Sequence, residues 1–204
     1  MAKENQQLRQ RIAQQAARMM AEDGINDYAY AKKKASRQLG VSENAVMPSN
    51  QEVEEALKTY TALFMADEQP VHLENLRKNA LFTMQLLANF NPHLTGSVLD
   101  GTAGVGSDTH IHLFADSAKD VEIFLLNQNI PYETDEKSYR MMQDGKRDKK
   151  GDARKKVPMF TLETALGLQK ISVFDYDDLR TPVRNAINGQ QDRLNAEGLA
   201  NLLK

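Results

Sequence analysis

Apolar residues recur at helical spacing through the first half of the chain and at strand spacing through much of the second. Residues 4–22 set Leu8, Ile12, Ala16, Met19 and Met20 in one stripe among Gln and Arg, which predicts an amphipathic helix stopped by Gly24. Residues 26–39 predict a second helix, capped by Asn26 and ended by Gly40. After a linker, Ser49 and Glu52 form a capping box. The helix that follows has Val53, Ala56, Leu57, Tyr60, Leu63 and Phe64 on one face and an end near Asp67. A fourth helix spans about residues 71–90 with Leu73, Leu76, Ala80, Met84 and Leu87 inward. Leu81, Phe82 and Leu86 widen that face and predict broad burial of its second half.

The period changes after Asn91-Pro92. Residues 96–102 read as a first strand. Residues 107–115 read as a second, with Thr109, Ile111, Leu113 and Ala115 on one face and Asp108, His110, His112 and Phe114 on the other. Ser117 and Asp120 form a capping box for a helix that ends before Pro131. Residues 131–140 carry Tyr132 and Tyr139 among charges and read as an edge strand. A charged loop follows over residues 141–156. Residues 157–164 and 168–176 read as strands about a turn at Gly167, and residues 192–203 as a closing helix weakened by Gly198. The expected fold class is α+β: a helical region over residues 1–92, then a small mixed or antiparallel sheet with covering helices over residues 93–204.

Composition narrows the function. The formal net charge of -2 sets up no global attraction to nucleic acid or to a membrane surface. The absence of cysteine excludes disulfides and thiolate metal sites. No apolar run reaches the ~20 residues of a membrane span, and the first twenty residues lack a signal-type apolar core, so a cytoplasmic location is expected.

Three stretches could carry chemistry. Asp108, His110 and His112 share a strand face and are candidate ligands for a divalent metal, with Asp108 and His110 the catalytic candidates. Histidine suits zinc better than magnesium, which takes hard oxygen ligands. Gly101-Thr-Ala-Gly104-Val-Gly106 is glycine-rich, but the chain has no P-loop pattern, and a turn between strands is the expected role. The basic residues between Lys146 and Lys156 lack interleaved aromatics and read as a solvated loop. Glu163 and Asp175, in the late strands, are candidates for a third carboxylate.

Gly96-Ser97, ten further residues, and then Asp108-x-His110 resemble the signature of the polymerase-beta type nucleotidyltransferase superfamily. There Gly-Ser precedes an Asp-x-Asp or Asp-x-Glu on a strand. The segments 112–117 and 120–133 resemble a group of uncharacterised proteobacterial proteins with a nucleotidyltransferase-like second half. The resemblance implies a nucleotidyltransferase-like fold, nucleotide contacts at Gly96 and Ser97, and a divalent metal at the strand pair. Two departures qualify it. His110 stands where the second carboxylate belongs, and the segment after Gly96-Ser97 reads as Gly-rich and apolar instead of helical. The expectation is therefore a nucleotidyltransferase-like protein with a degenerate metal site and a binding or regulatory role. Its alternatives are an active metal-dependent nucleotidyltransferase and a helical protein–protein interaction module presenting Val53, Tyr60 and Phe64 to a partner.

Overall fold

The computed structural model describes residues 2–25, 27–41, 47–64, 69–104, 106–142, 153–184 and 192–204. The chain divides into two compact units, residues 1–73 with 101–107, and residues 74–100 with 108–204.

The first unit holds α1 (Ala2–Glu22), α2 (Tyr28–Gln38) and α3 (Asn50–Phe64). Its core joins Ile12, Ala13, Ala16, Ala17 and Met20 of α1 to Ala31 and Ala35 of α2 and Val53 and Leu57 of α3. Alanine at so many inward positions keeps the side-chain layer between the helices thin. The expected box at α3 is formed in both directions: Glu52 N–H donates to Ser49 Oγ at 3.1 Å, and Ser49 N–H to Glu52 Oε2 at 2.7 Å. The same carboxylate accepts from Arg9 at 2.8 Å, which ties α3 to α1. Arg9 is the main reason this carboxyl is held below the usual range. The cap of α2 is Asp27, which accepts from Tyr30 N–H; Asn26, and the expected end of α3 near Asp67, lie outside the described residues. Gly104 explains much of the glycine-rich stretch. A Cβ there would stand 3.3 Å from the carbonyl oxygen of Ala21, so the residue permits close packing on α1.

A fourth helix, α4 (Gln69–Leu86), contains the division between the units. Leu76, Ala80 and Met84 are buried as the spacing requires, but Phe82 is 68% exposed, so the buried stripe is narrower than expected. A 3-10 turn (Ala88–Phe90) then leads to the sheet.

The second unit is built on one six-stranded mixed sheet in the order β3-β4-β5-β2-β1-β6. Its strands are β1 (His93–Thr95), β2 (Thr109–Phe114), β3 (Glu133–Met141), β4 (Ala153–Thr164), β5 (Gly167–Phe174) and β6 (Leu194–Asn195). Among the described strands only β2 and β5 run parallel, and every other pairing is antiparallel. β3 is an edge, as its charges imply. The first strand lies earlier than expected, at His93–Thr95, because Gly96 takes φ +76° and ends it. Residues Ser97–Asp100 then form a short helical turn, α5, closed by Asp100 N–H to Gly96 O, which corrects the reading of this segment as strand. α6 (Ala118–Asn127) is capped by Ser117, which accepts from Lys119 N–H. The chain closes with α7 (Ala196–Leu202), capped by Asn195.

One sheet face is apolar: Leu94, Ile111, Leu113, Phe160, Leu162, Ile171 and Val173 are all buried. α6 lies over it, burying Val121 and Leu125, and Tyr132 links the two by donating to Glu122 and meeting the Phe160 ring edge-on. The other face carries the candidate chemistry.

Candidate functional site

Strand alternation sends Asp108, His110, His112 and Phe114 to the second face together. Parallel pairing sets Lys170 beside His110, Ser172 beside His112 and Phe174 beside Phe114. From the edge hairpin, Lys137 and Tyr139 join the same face; Tyr139 and Ser172 share a hydroxyl hydrogen bond of 2.8 Å. From β1 come His93 and Thr95, opposite His112 and His110.

These groups form layers along the strands. At one end Asp108 is ion-paired with Lys170 at 2.6 Å, next to His110. Burial, reinforced by Lys137, holds the His110 imidazole down to about 4, so it is neutral near pH 7. Lys137 is itself lowered, first by burial and then by Lys170, with Asp108 opposing. Its Nζ lies 5.3 Å from the centre of the Tyr139 ring and makes no hydrogen bond or ion pair among the described residues. In the middle, His112 is 1% exposed and neither ring nitrogen has a hydrogen-bond partner among the described residues. Its ring packs edge-on to Tyr139 at 5.3 Å and against Phe174 at 4.6 Å. Burial holds it well below the ordinary histidine value, and burial pushes the Tyr139 hydroxyl up to about 12. At the far end Phe114 and Phe174 stack at 5.7 Å, and the Arg193 guanidinium lies 4.8 Å and 5.5 Å from their ring centres. Arg193 Nη1 donates to the carbonyls of Asp178 and Leu179, while Nε and Nη2 are buried without partners among the described residues.

The three expected metal ligands therefore share a face, but Asp108 is already engaged by a lysine. Among the described residues no group of three or more His, Asp or Glu side chains is placed to hold a metal ion. Glu163 is exposed on β4, opposite Leu168. Asp175 lies five residues past Lys170, ~16 Å along the strand direction, where it accepts from Lys155. Asp108 and Asp175 thus stand at opposite ends of the sheet. Gly96 does approach the face: a Cβ on it would meet the His110 ring at 3.5 Å. Ser97 opens α5, whose carbonyls at Val98 and Leu99 accept from Arg77. Of the basic loop, residues 143–152 lie outside the described residues, while Lys155 is held by Asp175 and Asp178. In α2, whose Lys32-Lys33-Lys34 is a second basic run, Lys32 binds Pro48 O and Asn50, and Lys34 binds Asp23.

Sequence reading missed Lys137, Lys170, Tyr139, Ser172 and Arg193. One signal was there to use: Lys170 is the one charged residue of the strand segment GLQKISVF. A lysine in such a place calls for a partner.

The fold and this face define an α+β protein whose mixed sheet has one apolar, helix-covered side and one layered polar and aromatic side. No family model, curated protein or solved structure matches the chain.

Proposed function

We propose that the sheet unit is a nucleotidyltransferase-like module whose metal site is degenerate and which has a binding or regulatory role instead of transferring nucleotides. The observation that carries this reading is the Asp108–Lys170 ion pair. A two-metal site needs carboxylates free to hold hard cations. Here the one acid of the strand pair is neutralised, its neighbour is a neutral imidazole, and the register position on the parallel strand is a lysine. The topology around Gly96-Ser97 is compatible with the resemblance: a strand, a short helical turn, then an antiparallel strand beginning one residue past Asp108. Isothermal titration of the full chain with nucleoside triphosphates, with and without magnesium, tests the reading. Saturable binding without product formation is expected. Robust nucleotidyl transfer that Asp108→Ala abolishes would overturn it and favour the active-enzyme reading.

A second reading has its own observation. In the helical unit, α1 and α3 flank a groove of about 810 Å³. At its rim Leu63 and Phe64 are 69% and 70% exposed, although Val53 of the same helix is fully buried in the core. Such a rim suits an interaction module. Cross-linking and sedimentation of the full chain test it, and a strictly monomeric species without cross-linked partners counts against it.

A further inference from the structure

We propose that Lys137 and Lys170, with His110 between β5 and β1, form a site for a phosphate group that is bound without a divalent cation. The proposal rests on reading this face as a binding site and names what it binds.

The charge balance of this face favours an anion. Two ammonium groups share one carboxylate, because Asp108 pairs with Lys170 and Lys137 has no anionic partner among the described residues. The His110 imidazole lies beside Lys170 in register, carries no negative charge to cancel the excess, and can donate a hydrogen bond. A half-buried lysine without a counter-ion is costly unless something anionic supplies the missing interaction. The positions are also consistent with one target. Lys170 and His110 are direct neighbours across the parallel pair, and Thr95 continues the row on β1. Lys137 reaches the row from the edge hairpin and feels both Lys170 and Asp108.

A neighbouring side chain calls for a ligand independently of these charges. His112, one side chain further along the same face of β2, is buried with both ring nitrogens unpaired among the described residues. Buried polar atoms in folded proteins nearly always have partners. An oxyanion seated at the lysines, or the water it orders, would supply an acceptor or donor at that depth. Phosphate fits better than a single carboxylate, because its extra oxygens can engage two ammoniums and an imidazole at once. In this arrangement the lysine ammoniums do electrostatically what a magnesium ion does where carboxylates line the site.

Asp108 gives the test a change of sign. If the site is metal-dependent, Asp108→Asn destroys binding. If the ammoniums hold the phosphate, Asp108→Asn removes a competing anion and tightens it. The experiment titrates the full chain with ATP and, separately, with inorganic tripolyphosphate, each in EDTA and in magnesium. Binding in EDTA is expected for both probes. Lys137→Gln and Lys170→Gln should each weaken it by about tenfold, the loss of one charge-assisted contact, and Asp108→Asn should strengthen it several-fold. Lys137→Arg should restore much of the loss, which separates a charge role from a packing role; circular dichroism verifies that each variant is folded. Equal affinity for the two probes would assign recognition to phosphate alone, and tighter ATP binding would add a base or sugar contact; both support the proposal. Binding that appears only with magnesium, or is lost in Asp108→Asn, would overturn the proposal and leave the binding reading standing. Binding of neither probe would overturn the proposal. Magnesium-dependent turnover would overturn both.

Discussion

Acid should weaken the sheet unit through His110, and the size of the effect follows from the site. In the unfolded chain this histidine titrates near its ordinary 6.5; in the folded protein burial and Lys137 hold it at about 4. The charged groups facing it are Lys137 from β3, Lys170 from β5 and Asp108 on its own strand, and only Asp108 favours protonation. Between these two values the unfolded chain binds the extra proton and the folded protein does not, so stability rises with pH across the window. The contribution is fully present above 6.5 and is lost progressively as pH falls towards 4. At ~1.4 kcal/mol per pH unit the full loss is about 3 kcal/mol, of which about 2 kcal/mol is gone by about pH 5. Ordinary carboxylates contribute little above about pH 5, which isolates the histidines. His112 and His93 are also lowered, mainly by burial, and add to the slope with the same sign. The assay is urea unfolding followed by circular dichroism at constant ionic strength, between about pH 7.5 and about pH 5, on the wild type and His110→Gln. The transition of the sheet unit should lose stability with acid in both, but by about 2 kcal/mol less in the variant. Parallel curves for the two proteins would refute the reasoning, since they would mean that His110 protonates as easily when folded as when unfolded.

Three further outcomes follow from particular contacts. Ser49→Ala removes the side-chain half of the α3 capping box and should cost about 1 kcal/mol in the helical unit; an unchanged unfolding midpoint would show that the Glu52 contacts to Ser49 N–H and Arg9 suffice. Tyr139→Phe leaves Ser172 without its buried partner and should destabilise the sheet unit by about 1–2 kcal/mol, read by thermal unfolding, whereas the double change with Ser172→Ala should recover part of that loss. Gly96→Ala forces an L residue into φ +76° and should cost about 1–2 kcal/mol even though its Cβ meets His110 only at ordinary contact distance; a neutral result would mean that the backbone relaxes to negative φ.

Local pattern alone determined the elements with a clear period. The stripe of α1, the capping box of α3 and the alternation of β2 rest on interactions within a few residues, and those are written directly in residue order. The edge character of β3 was legible for the same reason, because a strand rich in charges tolerates only one covered side. The sharing of one face by Asp108, His110 and His112 followed from the two-residue repeat of a strand.

Tertiary structure decided the rest. That β2 would lie parallel to β5, sixty residues later in the chain, sets Lys170 against Asp108 and Ser172 beside His112, and no local pattern encodes which strands become neighbours. The reach of Lys137 and Tyr139 from the edge hairpin depends on the same pairing order. Glu163 and Asp175 resembled further acids of a metal site as long as only their residue types were known; register and strand length put Asp175 at the far end of the sheet. Sequence order thus supplied an aspartate and two histidines on one face, and long-range pairing supplied the lysines that change the charge of that face. Local geometry is set by short-range sterics and hydrogen bonding, whereas the electrostatic character of a site is the sum over every strand brought to it.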